Sequence, residues 1–566
     1  MNLSGLIPLI EALPGMQRLL HDMTTGESWA VYDYALGSPE AARPAIVAAL
    51  AGHWRGPLVW VVSAPERARL VHDELCTWLG DSQRVHILPS PEALFYDRVV
   101  WEPETVRQRI ALLALLAGGV VQDGDNDATP PVVIAPAWAL MVKTAPPSLL
   151  RGGVRALRLG QYRPPSELVT LWLRFGYQPA AVVEEPGTFS MRGGIVDVYP
   201  PSLPQPVRIE FYGDEIASLR SFDPATQRSG ASVEAVTVAP TSEALLSQGS
   251  RAVSALKQLD WSKLPPVTVQ RLERDVERLE RGEAFPGMEY YLPYLYPQPA
   301  SFLDYLNERA LVVVDDLLAA QSATQALEKQ AMDLRQELIR DGELTADWAV
   351  PYFTWDDLLV RLMTRRGISL GYDQPPEALL LEENSFHPGL RYGGRLKQAA
   401  DDVRRVLLGG GRVAVVSRQT ARLRELLGEL DLPIRPVESI AETPAPGSLS
   451  LAQGTLAGGW SLGSDRLVLL TDAELFGWRR EQPRRQRRAR ATAPETAYAD
   501  LNPGEYVVHM DHGVGVYRGL VRKAVGDVER EYLEIEYAGG DRLYVPVPQV
   551  DRITRYAAGE EREPNL

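Results

Sequence analysis

Seven arginines lie within twelve residues of this 566-residue chain and are its first candidates for chemistry. They are Arg479, Arg480, Arg484, Arg485, Arg487, Arg488 and Arg490. Clustered arginines can bind the phosphates of a nucleic acid. Apart from Trp478, however, the stretch has no aromatic residue that could stack on bases, and it contains a proline. We favour a solvated linker over a nucleic-acid site, and both interpretations stay open.

Two histidines, His509 and His512, are close enough in sequence to suggest a shared metal ion. No cysteine or third ligand at a suitable spacing accompanies them, so we predict no metal site. They lie in the first of three runs of alternating apolar and polar residues, which cover 507–517, 531–537 and 541–547. Breaks containing glycine separate the runs, as is typical of short antiparallel strands. We predict a small antiparallel β barrel that contacts a partner protein.

The overall charge argues against a chain whose main task is to grip duplex DNA. The chain has 59 Lys+Arg and 74 Asp+Glu, a formal net charge of −15, whereas DNA binding needs clustered positive charge. A single cysteine, Cys76, indicates a reducing compartment. The sequence contains no apolar run of about 18 residues. We expect a cytoplasmic monomer without membrane contact.

The length of the chain and its alternation of predicted strands and helices indicate a multi-domain α/β protein. Short apolar strands at 58–62, 85–88 and 132–135 alternate with helices, the first of them predicted at about 65–79, which indicates a parallel, doubly wound sheet. Residues 310–316 are predicted to add a strand to it, and 367–376 are predicted to be a connection. The predicted domains are a first α/β domain in two parts (1–153 and 241–370), an inserted α+β domain (154–240), a small second α/β domain (377–478), an Arg-rich linker (479–499) and the barrel (500–566).

Two blocks of sequence connect this organisation to a known family. The block "GTFSMRGGIVDVYPP…PVRIEFYGDEIASLRSFDPATQRS" resembles the UvrB-like module of bacterial transcription-repair coupling factors. The block "VVHMDHGVGVYRG…EYLEIEYAGGDRLYVPV" resembles their RNA-polymerase-interaction domain, which CarD-type regulators share. The resemblance covers essentially the whole chain and corresponds to the N-terminal half of the family. It implies that the parallel sheet is a degenerate helicase-type (RecA-like) sheet.

The resemblance places the phosphate loop of that helicase fold at 37–44, which reads GSPEAARP. A working loop, G-x-x-x-x-G-K-[ST], cradles phosphates with backbone N–H groups, a lysine and a hydroxyl. Gly37 is present, but alanine replaces the second glycine, Arg43 replaces the lysine and Pro44 has no hydroxyl. Asp315 resembles the metal-binding carboxylate of such sites. We predict a degenerate nucleotide site, no catalytic residue and no cofactor.

In the family, a C-terminal motor binds ATP and Mg and makes most of the contacts with double-stranded DNA. This motor is an ATP-dependent translocase that displaces RNA polymerase. The resemblance implies that this chain stops where the motor would begin, so we expect a piece of a longer protein, and the alternative is a naturally short homologue. The inserted domain of the family binds the repair protein UvrA, through a surface that the full-length protein masks. Without the motor, we expect UvrA binding to be constitutive.

The positions that match the family's UvrA contacts are Arg192, Arg208 and Tyr212. Residues spaced by two lie on one face of a regular strand, so Glu210 joins the predicted UvrA site. Arginine and tyrosine are enriched at interface hot spots. The alternative is that the arginines only form surface salt bridges with Glu210, Asp214 or Glu215.

The C-terminal domain of the family grips the β subunit of RNA polymerase through an exposed strand edge. The matching positions here are Leu520, Val521, Arg522, Lys523 and Tyr544. The alternative is that this domain is only a spacer.

The leading hypothesis is an adaptor in transcription-coupled nucleotide-excision repair, which joins stalled RNA polymerase to UvrA. One alternative is an ATP-dependent DNA translocase or helicase that acts by itself. Another is a UvrB-like subunit that binds damaged DNA. In UvrB, the place that corresponds to 285–306 holds a hairpin that clamps damaged DNA. Here that stretch has few basic residues, so we do not expect lesion recognition.

Overall fold

The structure is a computed structural model that describes residues 1–25, 34–117, 129–372, 379–382, 384–463, 466–477, 503–509, 513–525, 528–537, 542–546 and 553–555. The Arg-rich stretch at 479–490 lies outside these residues. Contacts divide the chain into two compact units, Met1–Arg480 and Glu481–Leu566. Within the described part, no helix has the length and apolar character that crossing a membrane requires.

The first unit starts with two helices, after which the strands of a parallel sheet alternate with helices. Its first elements are α1 (Ile7–Glu11), α2 (Pro14–Thr25), β1 (Tyr34–Leu36), α3 (Arg43–His53), β2 (Leu58–Val62), α4 (Pro65–Leu79), β3 (Val85–Ile87), α5 (Pro103–Leu116), β4 (Val132–Pro136), α6 (Ala137–Met141) and α7 (Pro147–Gly153). A proline in the first turn of α3, α4 and α5 suits a helix start, where its missing N–H is not needed. The predicted strand at 58–62 and helix at 65–79 are confirmed.

A second, smaller sheet follows in residues 155–238. Its elements are β5 (Arg155–Arg158), α8 (Pro165–Arg174), β6 (Gln178–Pro179), β7 (Thr188–Arg192), β8 (Ile195–Val198), β9 (Val207–Tyr212), β10 (Glu215–Phe222), β11 (Ser229–Ser232) and β12 (Ala235–Val238). Six strands pair in the order β11-β10-β9-β8-β7-β6, while β5 and β12 form a separate antiparallel pair. Trp172 of α8 packs with Val196, Val207 and Ile209 in a core that belongs to this part of the chain alone.

The chain then returns to the first sheet. The next elements are α9 (Gly249–Leu256), α10 (Pro266–Arg281), α11 (Leu292–Leu295), β13 (Leu311–Val314), α12 (Leu317–Arg340), α13 (Trp355–Met363), β14 (Arg366–Leu370) and β15 (Leu379–Leu381). The seven strands pair in the order β15-β1-β14-β13-β2-β4-β3, and all neighbours are parallel.

Side chains of the central strands alternate between two hydrophobic cores, one on each face of the parallel sheet. On β2, Val59 and Val61 enter one core, and Trp60 enters the other. A mixed α/β protein with a large, doubly covered parallel sheet is therefore confirmed. Strand β15 belongs to this sheet, although it lies beyond the boundary predicted at residue 370.

A third sheet closes the first unit. Its elements are β16 (Phe386–Pro388), α14 (Leu396–Leu408), β17 (Arg412–Ser417), α15 (Thr420–Glu429), β18 (Pro436–Val437), β19 (Leu449–Gln453), β20 (Trp460–Leu462), β21 (Leu467–Thr471) and α16 (Asp472–Phe476), with strand order β16-β20-β21-β17-β19-β18. One face of this sheet shares a core with the first sheet, where the rings of Trp78 and Trp460 lie 6.0 Å apart.

The second unit contains β22 (Tyr506–His509), β23 (Gly513–Val525), β24 (Val528–Glu536), β25 (Arg542–Pro546) and β26 (Ile553–Arg555). All neighbours are antiparallel, in the order β25-β24-β23-β22-β26. The prediction of a closed barrel is wrong for the described residues, which form an open sheet. Closure would require β25 and β26 to pair, and β26 offers only three residues to such a ladder.

Candidate functional site

The inserted sheet has one buried face and one open face, and strand β9 shows the division. Val207 and Ile209 are buried against α8, whereas Arg208 and Glu210 are half-buried on the opposite side. Tyr212, which follows them on that side, is 83% exposed. The regular pairing of β9 with β8 places Arg208 and Glu210 on one face, and Tyr212, two residues further along β9, continues the alternation, in agreement with the period-two prediction.

A buried carboxylate, Asp197 on β8, holds the two arginines of this face. Its Oδ1 accepts a hydrogen bond from Nε of Arg208 at 2.7 Å, and its Oδ2 accepts one from Nη2 of Arg208 at 2.9 Å. Nη2 of Arg192 donates to the same Oδ2 at 3.1 Å. The side chain of Asp197 is only 1% exposed. The salt-bridge alternative therefore had the wrong partners, because neither arginine pairs with Glu210, Asp214 or Glu215 in the ion pairs of the described residues.

Arg208 is the more rigid of the two arginines. Its guanidinium lies 4.8 Å from the ring centroid of the fully buried Phe222, and Nη1 reaches Oγ of Ser229 at 3.3 Å. The hydrogen bonds to Asp197 raise the pKa of Arg208. The side chain of Arg192, by contrast, is 58% exposed. The open face thus presents one fixed and one accessible guanidinium, each aligned by the same acid.

The structure also brings together the residues of the predicted nucleotide site. Arg43, the first residue of α3, places Nη1 at 3.3 Å from Oδ2 of Asp315, which follows β13. Arg67 of α4 donates to the same oxygen from Nε at 3.1 Å. The N–H of Gly37 donates to the carbonyl of Leu381 at 3.0 Å. The loop N–H and the acid that would serve a nucleotide are therefore already engaged within the protein.

No group of three potential metal ligands occurs among the described residues. The side chains of His509 and His512 lie outside that part of the chain.

The five positions predicted to contact RNA polymerase fall on two strands. Four are consecutive on β23, from Leu520 to Lys523, and Tyr544 is on β25. The register pairs Leu520 with Leu533 of β24, and Glu534 of β24 with Tyr544, so β24 separates the two groups. Beyond Tyr517, one edge of β23 has no ladder partner among the described residues. Leu520, at this open edge, is 43% exposed.

Residues 285–306 form short helical turns whose aromatic side chains are buried or partly buried. Tyr291, Tyr296 and Phe302 are fully buried in the core on one face of the parallel sheet. The hydroxyl of Tyr291 donates to Asp275 at 2.6 Å, and burial raises the pKa of Tyr291 to about 12. These rings stabilise the fold and are not available to a DNA lesion.

Sequence reasoning missed two of the residues that organise these sites. Asp197 lies in the quoted "RGGIVDVYP", and alternation along β8 could have placed it on the face of Arg208. Arg67 had no such signal, because its approach to Asp315 depends on how α4 crosses the sheet.

The fold is that of an α/β chain with an inserted sheet in its first unit and an antiparallel sheet in its second unit. Residues 156–243 match the UvrB interaction domain, and residues 501–557 match the CarD-like/TRCF RID domain. Both modules predicted from the sequence are thereby confirmed.

Several relatives of this chain are transcription-repair-coupling factors. The protein of that name from Bacillus subtilis is 27% identical over 552 residues, which cover 94% of this chain and 45% of the relative. The one from Myxococcus xanthus is 30% identical over 581 residues, covering 94% and 46%. The one from Staphylococcus haemolyticus is 27% identical over 517 residues, covering 86% and 42%. The predicted resemblance to the N-terminal part of this family is confirmed, and the chain spans less than half the length of these relatives.

Proposed function

We propose that this chain is an adaptor of transcription-coupled nucleotide-excision repair. It binds UvrA through Arg192, Arg208, Glu210 and Tyr212, and it binds the β subunit of RNA polymerase through its C-terminal sheet. The observation that carries the proposal is the arginine pair aligned by Asp197, which lies on the open face of the UvrB interaction domain.

The geometry of this face suits protein recognition. Arg208 keeps one orientation because Asp197 and Phe222 hold it, so binding costs little side-chain entropy there. Arg192 reaches solvent and can donate to a partner carboxylate. Tyr212 adds a large exposed ring to the same face. An arginine pair flanked by an aromatic ring is the composition expected of an interface hot spot.

The test of this site is the affinity of the chain for UvrA, measured by biolayer interferometry. We expect Arg192→Ala combined with Arg208→Ala to weaken binding by about 100-fold, because each removes a charge-assisted contact. Arg340→Ala is the matched control, since Arg340 forms an exposed ion pair with Asp341 outside the inserted sheet. UvrA capture that survives the double substitution would remove this assignment.

Binding to RNA polymerase is proposed to use the open edge of β23, where Leu520 to Lys523 lie, together with Tyr544. Support comes from the match to the CarD-like/TRCF RID domain and from the unpaired edge among the described residues. An exposed edge can accept a strand of a partner. Arg522→Glu with Lys523→Glu is expected to abolish co-purification with the polymerase β subunit. If the altered chain still co-purifies with the β subunit, these positions are not the contact. If the unaltered chain does not co-purify with the β subunit, the domain is a spacer.

We further propose that this chain hydrolyses no ATP and needs no cofactor. The ion pairs from Arg43 and Arg67 to Asp315 support this view, because that carboxylate is not available to a metal ion. An ATPase assay with and without DNA is expected to show only background turnover. The translocase alternative instead predicts turnover that falls when Asp315 is changed to asparagine.

A further inference from the structure

Two tyrosines stand out on the open face of the inserted sheet. Tyr162 is 74% exposed and Tyr212 is 83% exposed, and no other aromatic side chain among the described residues is as exposed. Single exposed apolar residues are ordinary on a protein surface. Two large rings on one face, next to an aligned arginine pair, are a more specific feature.

The backbone register places the two tyrosines in one row. Tyr212 of β9 lies opposite Glu215 of β10, and Glu215 lies opposite Tyr162 through an antiparallel bridge. Residues directly opposite each other in neighbouring strands project to the same side of a sheet. The hydroxyl of Tyr162 also hydrogen-bonds to the carboxylate of Glu215, which raises the pKa of Tyr162. The backbones that carry the two rings are thus about 10 Å apart, or two strand spacings, with Glu215 between them.

The backbone that carries Tyr162 is held firmly against β10. The N–H of Gly160 donates to the carbonyl of Ile216 at 2.8 Å, and the N–H of Ile216 donates to the carbonyl of Gln161 at 2.9 Å. The N–H of Arg163 donates to the carbonyl of Asp214 at 2.6 Å, and two prolines follow in sequence. Because this segment is already ordered, a partner that covers the ring loses little affinity to ordering the backbone.

We infer that Tyr162 is a further binding residue for UvrA and that the row Tyr162–Glu215–Tyr212 extends the arginine site. The inference rests on the proposed function, because the same face must meet the same partner. Arg208, Glu210 and Tyr212 alternate along β9, so the arginine pair and the tyrosine row form one continuous surface. The matching surface of UvrA presents carboxylates to the arginines and an apolar or aromatic side chain to the tyrosine row.

The affinity of the whole chain for UvrA tests the inference. Tyr162→Ala is expected to weaken binding about thirtyfold, which is the effect of removing a hot-spot ring. Tyr162→Phe is expected to stay within about threefold of the unaltered chain, because the ring supplies the contact and the hydroxyl serves Glu215. Val267→Ala is the control for removing exposed apolar surface, since Val267 is 75% exposed on α10.

The outcomes separate this inference from the proposed function. If Tyr162→Ala binds normally while the arginine double substitution loses binding, the tyrosine row is not part of the site and the proposed function stands. If neither change affects binding, both fail. A photo-cross-linker, p-benzoylphenylalanine, gives a second readout that does not depend on the alanine variant folding. Placed at position 162 it is expected to form an adduct with UvrA, and at position 267 it is not. The absence of an adduct at 162 would overturn the inference.

Discussion

Two regions of the first unit use the same arrangement, in which two arginines share one buried aspartate. In the inserted sheet, Asp197 holds Arg192 and Arg208. Beside the parallel sheet, Asp315 holds Arg43 and Arg67. The difference is exposure: Arg192 is 58% exposed, whereas the side chains of Arg43 and Arg67 are both 10% exposed. We propose that the arrangement serves recognition where a guanidinium reaches solvent and stabilises the fold where both guanidinium groups are covered.

The largest effect is expected when Asp315, the buried acid beside the parallel sheet, is removed. Asp315→Ala leaves two covered arginines without their shared partner, so we expect the free energy of unfolding to fall by about 3–5 kcal/mol. Urea unfolding followed by tryptophan fluorescence measures this loss. Asp316→Ala is the matched control, because Asp316 caps α12 through the N–H of Ala319 and its loss should cost only about 1 kcal/mol. Equal costs for the two variants would contradict a structural role for the Asp315 ion pairs.

The second prediction concerns Asp197 and its two arginines in the inserted sheet. Asp197→Asn keeps the shape of the side chain but removes the charge that aligns both arginines, so we expect about tenfold weaker UvrA binding. Glu234→Gln removes a charge from an exposed residue of the same domain and should leave affinity unchanged. In a chain that already carries Arg192→Ala and Arg208→Ala, Asp197→Asn should have no further effect. An additional loss in that background would mean that Asp197 acts independently of the arginines.

The smallest effect is expected for Glu40, an exposed residue that pairs with one of the two arginines bound to Asp315. Glu40 pairs with Nη1 of Arg67 at 2.8 Å, but its side chain is 67% exposed. Water therefore screens the pair, and Glu40→Gln should change the free energy of unfolding by less than about 0.5 kcal/mol. The same urea measurement applies. A cost close to that of Asp315→Ala would show that exposure does not separate the two kinds of ion pair.

Local patterns in the sequence predicted much of the fold. The apolar run at 58–62 and the proline that begins α4 fixed a strand and a helix at their observed bounds. Alternation along β9 identified the face that carries Arg208, Glu210 and Tyr212. These features depend on near neighbours in the chain, which a single sequence displays.

The features that sequence missed depend on distant parts of the chain. Residues 367–376 were predicted to be a connection, yet β14 (Arg366–Leu370) lies between β1 and β13 in the parallel sheet. The open C-terminal sheet depends on whether its two edge strands meet, and the alternating pattern of each strand does not contain that information. Likewise, Tyr162 becomes part of the candidate site only through its bridge to Glu215, 53 residues later.

The short pairing of β5 with β12 has a consequence for how the inserted sheet can be handled. Arg155, at the start of β5, lies directly opposite Val238, at the end of β12, so the chain enters and leaves this region at adjacent points. The region also has a hydrophobic core of its own. The region therefore has the properties of an insertable domain. It can be removed from this chain or inserted into another protein without a change in the path of the surrounding chain.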